Sequence, residues 1–489
     1  MDLKDFPNLA TRRDFIRKAC AAVGTISMSA TMRDLRFINS AAAQTALTDY
    51  KALVCIFLSG GNDANNLIIP RGDDYAGYQS LRGLLSIPEA SLLNISPLNN
   101  DGHSYGLHTK VPELQTLFGE GKCAIVFNAG PLLYPFTASQ YNSAQKPPQL
   151  FSHSDQVTHW QTSLPDQPPA TGWGGRLADL IHPDQLDLIN STNSAKIAMC
   201  TSLAGANTFE VGKVFGQYHV STGGAVMLDN VSGNRLQAVQ DLIALPDPNL
   251  QRKAYAGVVK NAIDTGLLLN TAIAPTASST YFNNPAFPNN DIGNQLKMIA
   301  RLIAARSTLN MKRQVFFASF GGFDTHTSQI GTTNNLPDPT VGSHANLLIK
   351  LSQSILAFQR AMEQLGVANN VTAFTASDFG RTFKTNSIYN VAGSDHGWGN
   401  HHLVVGGLGT AGGATSSVKG GRTYGSFPVL QTYGPDSVPT SNEARWIPKI
   451  SVDEYSATLA RWFGVSAGHM PTVFPNIGRF ASPNLGFMA

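Results

Sequence analysis

The apolar residues of this chain fall into short unbroken runs. Ala52–Leu58, Cys123–Asn128, Lys196–Thr201, Gln314–Phe320, Val371–Ala376 and His402–Val405 are the clearest. Apolar runs of that length, without polar alternation, are the pattern of strands covered on both faces. Between some of them the period changes to that of a helix. In Ser343–Gly366 the residues Leu348, Leu351, Ile355, Phe358, Met362 and Leu365 form one stripe, and Gly366 suits a helix C-terminus. Asp291–Asn310 and Leu250–Ile273 read the same way. Strands alternating with helices predict an α/β fold, a three-layer α/β/α sandwich around a mostly parallel sheet.

Residues 205–290 break this rhythm. Val211–Leu228 alternates like a hairpin around Gly223-Gly224, and Thr276–Asn290 is a Ser/Asn/Pro-rich loop. The segment reads as a hairpin and helical cap inserted into one α/β domain over 44–489. Residues 406–448, rich in Gly, Ser and Thr, read as a second excursion.

Composition narrows the class. Hydrophobic residues make up 42% of the 489 positions, which excludes a disordered chain. Charged residues are only 14%, against about 25% in an average soluble domain, so much of the surface is neutral and polar. The net charge of +3 is concentrated in residues 1–43, and the remainder is balanced. A balanced chain lacks the basic face of an electrostatic nucleic-acid binder. No apolar stretch is long enough for an integral membrane segment.

The excess charge belongs to an export signal. Thr11-Arg12-Arg13-Asp14-Phe15-Ile16-Arg17-Lys18 closely matches the twin-arginine pattern. A weakly hydrophobic run, Ala19–Met32, follows, and Ser40-Ala41-Ala42-Ala43-Gln44 offers cleavage after Ala43. Residues 1–43 are therefore expected to be a signal peptide handled by the twin-arginine translocase, with a periplasmic or extracellular destination. Cys55, Cys123 and Cys200 remain, an odd number inside apolar runs. They read as buried thiols, not a disulfide framework.

Polar clusters stand where strands end, the usual place for a ligand site in an open parallel sheet. They are Ser59-Gly60-Gly61-Asn62-Asp63, Gly321-Gly322-Phe323-Asp324-Thr325-His326 and Ser377-Asp378-Phe379-Gly380-Arg381. A fourth, Asp395-His396-Gly397-Trp398-Gly399-Asn400-His401, precedes a strand. Each has a structural reading as a turn or helix cap. Together they place Asp63, Asp324, His326, Asp378, Asp395 and His396 at loops of one sheet. That many carboxylates cannot share a pocket without cations. Asp with His suits zinc or manganese; Asp with carbonyls suits calcium or magnesium. In extended chain Asp324 and His326 face the same side and suit one ion. Asp395 and His396 diverge, as needed for two ions or for one ion and the groups that orient its ligands. Arg381, placed one turn into an expected helix, suits an anionic substrate oxygen or an ordinary ion pair.

These motifs, with Ser152-His153-Ser154-Asp155-Gln156 and Trp160, resemble a twin-arginine-exported family, domain of unknown function 1501, within the alkaline phosphatase/sulfatase superfamily. The resemblance spans about residues 52–407. It implies an alkaline-phosphatase-like core and places Asp63 as the first metal-ligating aspartate. It implies Asp324 and His326 on one metal and Asp378 at a strand end, where Phe379 replaces the family's usual histidine. Asp395, His396 and His401 are then further ligand candidates. It places the nucleophile near Ser152 or Ser154, with metal-activated water as the alternative. The sulfatase motif Cys/Ser-x-Pro-x-Arg is absent. Gly464-Val465-Ser466-Ala467-Gly468 follows a helical pattern, so it is no hydrolase elbow. The expectation is a secreted, divalent-metal-dependent hydrolase of a small-molecule or glycan phosphate or sulfate ester. The alternative is a non-catalytic metal- or carbohydrate-binding protein on the same fold.

Overall fold

The computed structural model describes residues 49–181, 197–228, 230–389, 392–410 and 415–489. The expected signal segment 1–43 and Lys196 lie outside them. The chain folds around a ten-stranded sheet built from β1 (Lys51–Leu58), β2 (Cys123–Gly130), β3 (Cys200–Ser202), β4 (Tyr218–Ser221), β5 (Gly224–Ala225), β6 (Arg313–Phe320), β7 (Val371–Ser377), β8 (Asn400–Gly406), β9 (Arg422–Tyr424) and β10 (Ile450–Ser451). The order is β9-β2-β8-β7-β1-β6-β3-β4-β5, with β10 also on β2.

β1 is the spine. It pairs in parallel with β7 from Ala52↔Val371 to Leu58↔Ser377 and with β6 from Lys51↔Arg313 to Leu58↔Phe320. Its side chains alternate between two cores, the geometry of a strand buried on both faces. Ala52, Val54, Ile56 and Leu58 face one layer, where Pro112–Gly119, Asp291–Ala304 and Ser343–Gln364 pack. Leu53, Cys55 and Phe57 face the other, with Trp173–Ile181 and Val452–Phe463. The expected α/β/α sandwich is thus present. Leu250–Ile273 has the expected bounds, and Ser343–Gln364 stops two residues short of Gly366, whose φ is +68°. Asp291–Ala304 ends in turns before Asn310.

Four details differ from the sequence expectation. β8 runs antiparallel to both β7 and β2; among the described residues no helix stands between β7 and β8, so the chain returns beside β7 without the helical crossover of a parallel pair. The hairpin at Gly223 is small, pairing only Val220↔Ala225 and Ser221↔Gly224. No helix follows Asp378; Arg381 instead bridges to His396 in an isolated antiparallel pair. A small antiparallel sheet of Ile68–Arg71, Leu93–Ile95 and Ser104–Leu107 was not foreseen. Its strands are too short for period to reveal, and Pro70 argues against one of them.

Among the described residues no helix is long and apolar enough to cross a membrane. Cys55, Cys123 and Cys200 are buried and free, and burial pushes the Cys123 thiol up to about 12. Near Cys55 and Cys200 the carboxyl of Glu210 is fully buried, with Asn207 Nδ2 donating to it at 2.9 Å.

Burial raises Glu210 from its ordinary 4.5 to about 8, although the Asn207 hydrogen bond opposes the rise. A folded-state value above the unfolded one means the native protein holds a proton that the unfolded chain releases. Stability from this group is therefore complete below about pH 4.5 and is lost as pH rises through about 8. Glu210→Gln should remove that decline and exceed the wild type in urea unfolding above pH 8. An equal decline in both proteins would refute the assignment.

Candidate metal centre

All the loops that matter leave one edge of the sheet. β1, β6 and β7 are parallel, so Asp63, Asp324 and Asp378 follow their carboxyl ends at that edge. β8 is antiparallel, so the residues that precede it, Asp395 and His396, arrive at the same edge. β2 is antiparallel to β8 and so agrees with β7 in direction. The chain beyond β2 returns as the helix His153–Thr162, which sets His153 at its first turn.

Close backbone approach makes this convergence feasible. Gly60 has a φ of +113°, and a Cβ there would stand 2.4 Å from the Asp324 backbone nitrogen. A Cβ at Gly393 would stand 2.3 Å from the Thr325 carbonyl oxygen. Any other residue at either point would push the loops apart.

Asp324 is the hub. Its Oδ1 accepts from Arg381 at 2.8 Å and lies 3.1 Å from His326 Nε2 and 3.3 Å from His396 Nε2. Its Oδ2 lies 3.5 Å from His153 Nε2. Burial alone would raise the Asp324 carboxyl; Arg381, by hydrogen bond and by charge, and then the histidines outweigh it, and the net direction is down.

Each histidine is held by its other nitrogen. His153 Nδ1 is 2.7 Å from Asp378 Oδ2, His326 Nδ1 is 2.7 Å from Asp395 Oδ1, and His396 Nδ1 is 2.6 Å from the Phe151 carbonyl. An oxygen acceptor at Nδ1 assigns the proton there and leaves a lone pair on Nε2. The hydrogen bond to Asp378 raises the His153 value, whereas burial lowers that of His396. His326 Nε2 and His396 Nε2 stand 2.8 Å apart. Two lone pairs at that distance repel unless a proton or a cation lies between them.

One donor atom from each of His153, Asp324 and His396 lies within 4.8 Å of the others, as a metal site requires. His326 Nε2 adjoins both Asp324 and His396. Imidazole with one carboxylate is the donor set of zinc and its transition-metal neighbours, and not the all-oxygen set of calcium or magnesium.

Other sequence candidates lie elsewhere. Asp63 is fully buried and forms an ion pair with Arg82, with Gln329 Nε2 as a further donor. Its charge is already balanced. His401 is buried between Phe127 and Phe427, accepts at Nδ1 from the Asn128 amide at 3.1 Å, and is pushed down to about 3 by burial. Ser152 stands at the N-cap position without a side-chain capping bond; its hydroxyl donates to Asp155 at 2.6 Å, with Ser154 Oγ 3.2 Å away. Arg381 is buried, and its donors go to Asp324, the Gly60 carbonyl and Ser394. It positions Asp324 and has no face toward solvent. Asp378 serves through His153, and Gly60 N–H donates to its other oxygen at 3.0 Å.

The site residue missing from the sequence reading is His153. Its signal was the Ser152-His153-Ser154-Asp155 stretch, which was weighed for its serines. Phe379 packs its ring on His153 and His396, with centroids 4.8 and 4.5 Å away.

A family model described as "Protein of unknown function (DUF1501)" matches residues 247–443. No curated protein matches the chain. Among solved structures, the PsFucS1 sulfatase from Pseudoalteromonas sp. aligns with a TM-score of 0.35 at 10% identity, over 89% of this chain and 73% of that one. The zinc complex of the C-terminal periplasmic domain of EcEptC from Escherichia coli aligns with a TM-score of 0.32 at 9% identity, over 91% and 94%. The lipoteichoic acid synthase LtaP from Listeria monocytogenes aligns at 0.27 and 9%, over 76% and 70%.

Arg82→Met leaves Asp63 buried and unpaired. Breaking a buried ion pair on one side costs about 3–5 kcal/mol, so the variant should unfold at much lower urea. A change under about 1 kcal/mol, the scale of a surface pair, would mean that Asp63 has another counter-charge.

Proposed function

We propose that the chain binds one divalent transition-metal ion, zinc in the first instance, and hydrolyses a phosphate or sulfate ester after export. The observation that carries the cation is the 2.8 Å approach of two imidazole Nε2 atoms whose Nδ1 positions are already bonded to oxygen. His153, Asp324, His326 and His396 would hold the ion. When bound, such an ion polarises an ester oxygen and lowers the pKa of water. The protein's own part is orientation. Asp378, Asp395 and the Phe151 carbonyl fix three rings in one tautomer, and Arg381 fixes the carboxylate. Hydrolysis rests on the superfamily resemblance of these motifs, and export on the twin-arginine signal.

Ser152 spends its hydroxyl on Asp155. Water is therefore the preferred nucleophile over Ser152 or Ser154. The non-catalytic reading draws its support from Arg381, whose donors are consumed internally, which leaves no buried cation to steady a substrate anion.

Metal analysis of the mature protein, purified without added metal, should find about one ion per chain. Asp324→Ala and His396→Ala should lose both the ion and hydrolysis of 4-nitrophenyl phosphate or sulfate. Ser152→Ala should keep most of the rate, and a dead but metal-replete Ser152→Ala would restore the serine mechanism. Metal retained in both ligand variants would sink the site. A loaded wild type inert on every ester would favour the binding protein.

The raised His153 value has a separate consequence. A second proton on that ring must leave when an ion arrives, so zinc affinity should fall, and proton release on binding should grow, as pH drops through the histidine range. Calorimetry in buffers of different ionisation enthalpy reads that release directly. Buffer-independent heats would contradict it.

A further inference from the structure

Away from the cation cluster, the outer flank of the helix His153–Thr162 borders a cleft of about 500 Å³. Asp155, Thr158 and His159 line it and stand at i, i+3 and i+4 of the helix, one face. The opposite wall carries Gln145, Gln167 and prolines, Pro168 among them.

His159 is the telling member. The residue is only 5% exposed, and its one side-chain hydrogen bond among the described residues is between Gln156 Nε2 and its Nδ1, at 3.3 Å. Its Nε2 has no partner among the described residues, and the residue lines the cleft. Burial holds this imidazole far below its ordinary value, at about 4, so it is neutral across the physiological range. A polar ring held this deep, with one nitrogen unbonded by the protein, is met in the cleft by water or by a ligand.

We propose that this cleft is a binding site for a neutral stretch of glycan, separate from the cation centre. Charge excludes an anion. The cleft's one ammonium, Lys146, already donates to the Tyr141 and Ala144 carbonyls, and Asp166 is paired with Arg479. Asp155 Oδ2 already accepts from Ser152 and Ser154, and the Thr158 hydroxyl donates to the Ser154 carbonyl at 2.8 Å. What is left is Asp155 Oδ1 and the Thr158 oxygen as acceptors, the His159 nitrogen and two side-chain amides. That is a mixed set with one acceptor-only carboxylate, which is what a row of sugar hydroxyls satisfies. Proline rings give flat apolar surface for the C–H face of a pyranose. A ligand here need not touch His153, whose side chain leaves the helix on the other side.

The test uses the full mature chain, metal-free after chelation, so that failure of the cation reading cannot affect it. Calorimetric titration with cellohexaose, chitohexaose and maltohexaose, and with a decaproline peptide as the rival occupant, gives the readout. At least one hexasaccharide should bind with a Kd at or below about 1 mM. Thr158→Trp, which fills the cleft, and His159→Phe, which removes the nitrogen, should each weaken it about tenfold or more. Thr158→Trp should leave the melting temperature and the metal content of the reloaded protein unchanged. No binding of any hexasaccharide, equal binding by both variants, or capture of decaproline alone would each overturn the proposal.

Discussion

A buried guanidinium is the fixed point of the site. Arg381 is wholly inside the protein and donates to Asp324, to the backbone after β1 and to Ser394 before His396. Three separate loops are thereby tied to one planar cation. Arg381 cannot lose its proton and cannot stay buried unpaired, so the loops must present oxygens to it. Asp324 is one of those oxygens, and its second lone pairs then face outward. The histidines gather around what Arg381 leaves free. The bidentate clamp on substrate that the sequence suggested is thus turned inward, and its job is geometric.

The same logic separates the two aspartates that the sequence treated alike. Asp63 and Asp324 both follow central strands by a few residues. Asp63 meets Arg82 in full burial, with Gln329 and Asn65 completing its bonds. Asp324 keeps nearly half its side-chain surface exposed, at 46%. A carboxylate with a dedicated buried counter-charge is a structural element. One that shares an arginine and faces three bare nitrogens is a ligand in waiting.

How much of this was legible follows from what one-dimensional patterns can encode. The sandwich was readable because β1, β6 and β7 are covered on both faces and so are apolar without alternation. Asp324 with His326 was readable because i and i+2 share a side in extended chain, and Asp395 with His396 because neighbours diverge. The direction of β8 was not readable, since an apolar run has no polarity, and neither were β9 and β10, which are two or three residues long. Arg82 as the partner of Asp63 lies in a helix with no motif around it. His153 stood inside a stretch singled out in the sequence, but a Ser-His-Ser-Asp string offers a nucleophile before it offers a ligand. Only the distance to Asp324 ranks them.

Phe379 limits the stoichiometry. An aromatic ring packed against both His153 and His396 occupies the ground where a second ion would need an imidazole, and it donates nothing to one. Asp378, an adjoining oxygen donor, already holds the His153 ring by one oxygen and accepts from the Gly60 amide with the other. A two-ion site would therefore need Asp378 to release His153, which would free the ring it orients. One ion keeps every anchoring hydrogen bond intact. The ring has a second effect, since an apolar face beside the cluster lowers the local dielectric and strengthens each charge interaction made there. Both effects favour a single, strongly polarising cation in the proposed site, and both follow from Phe379.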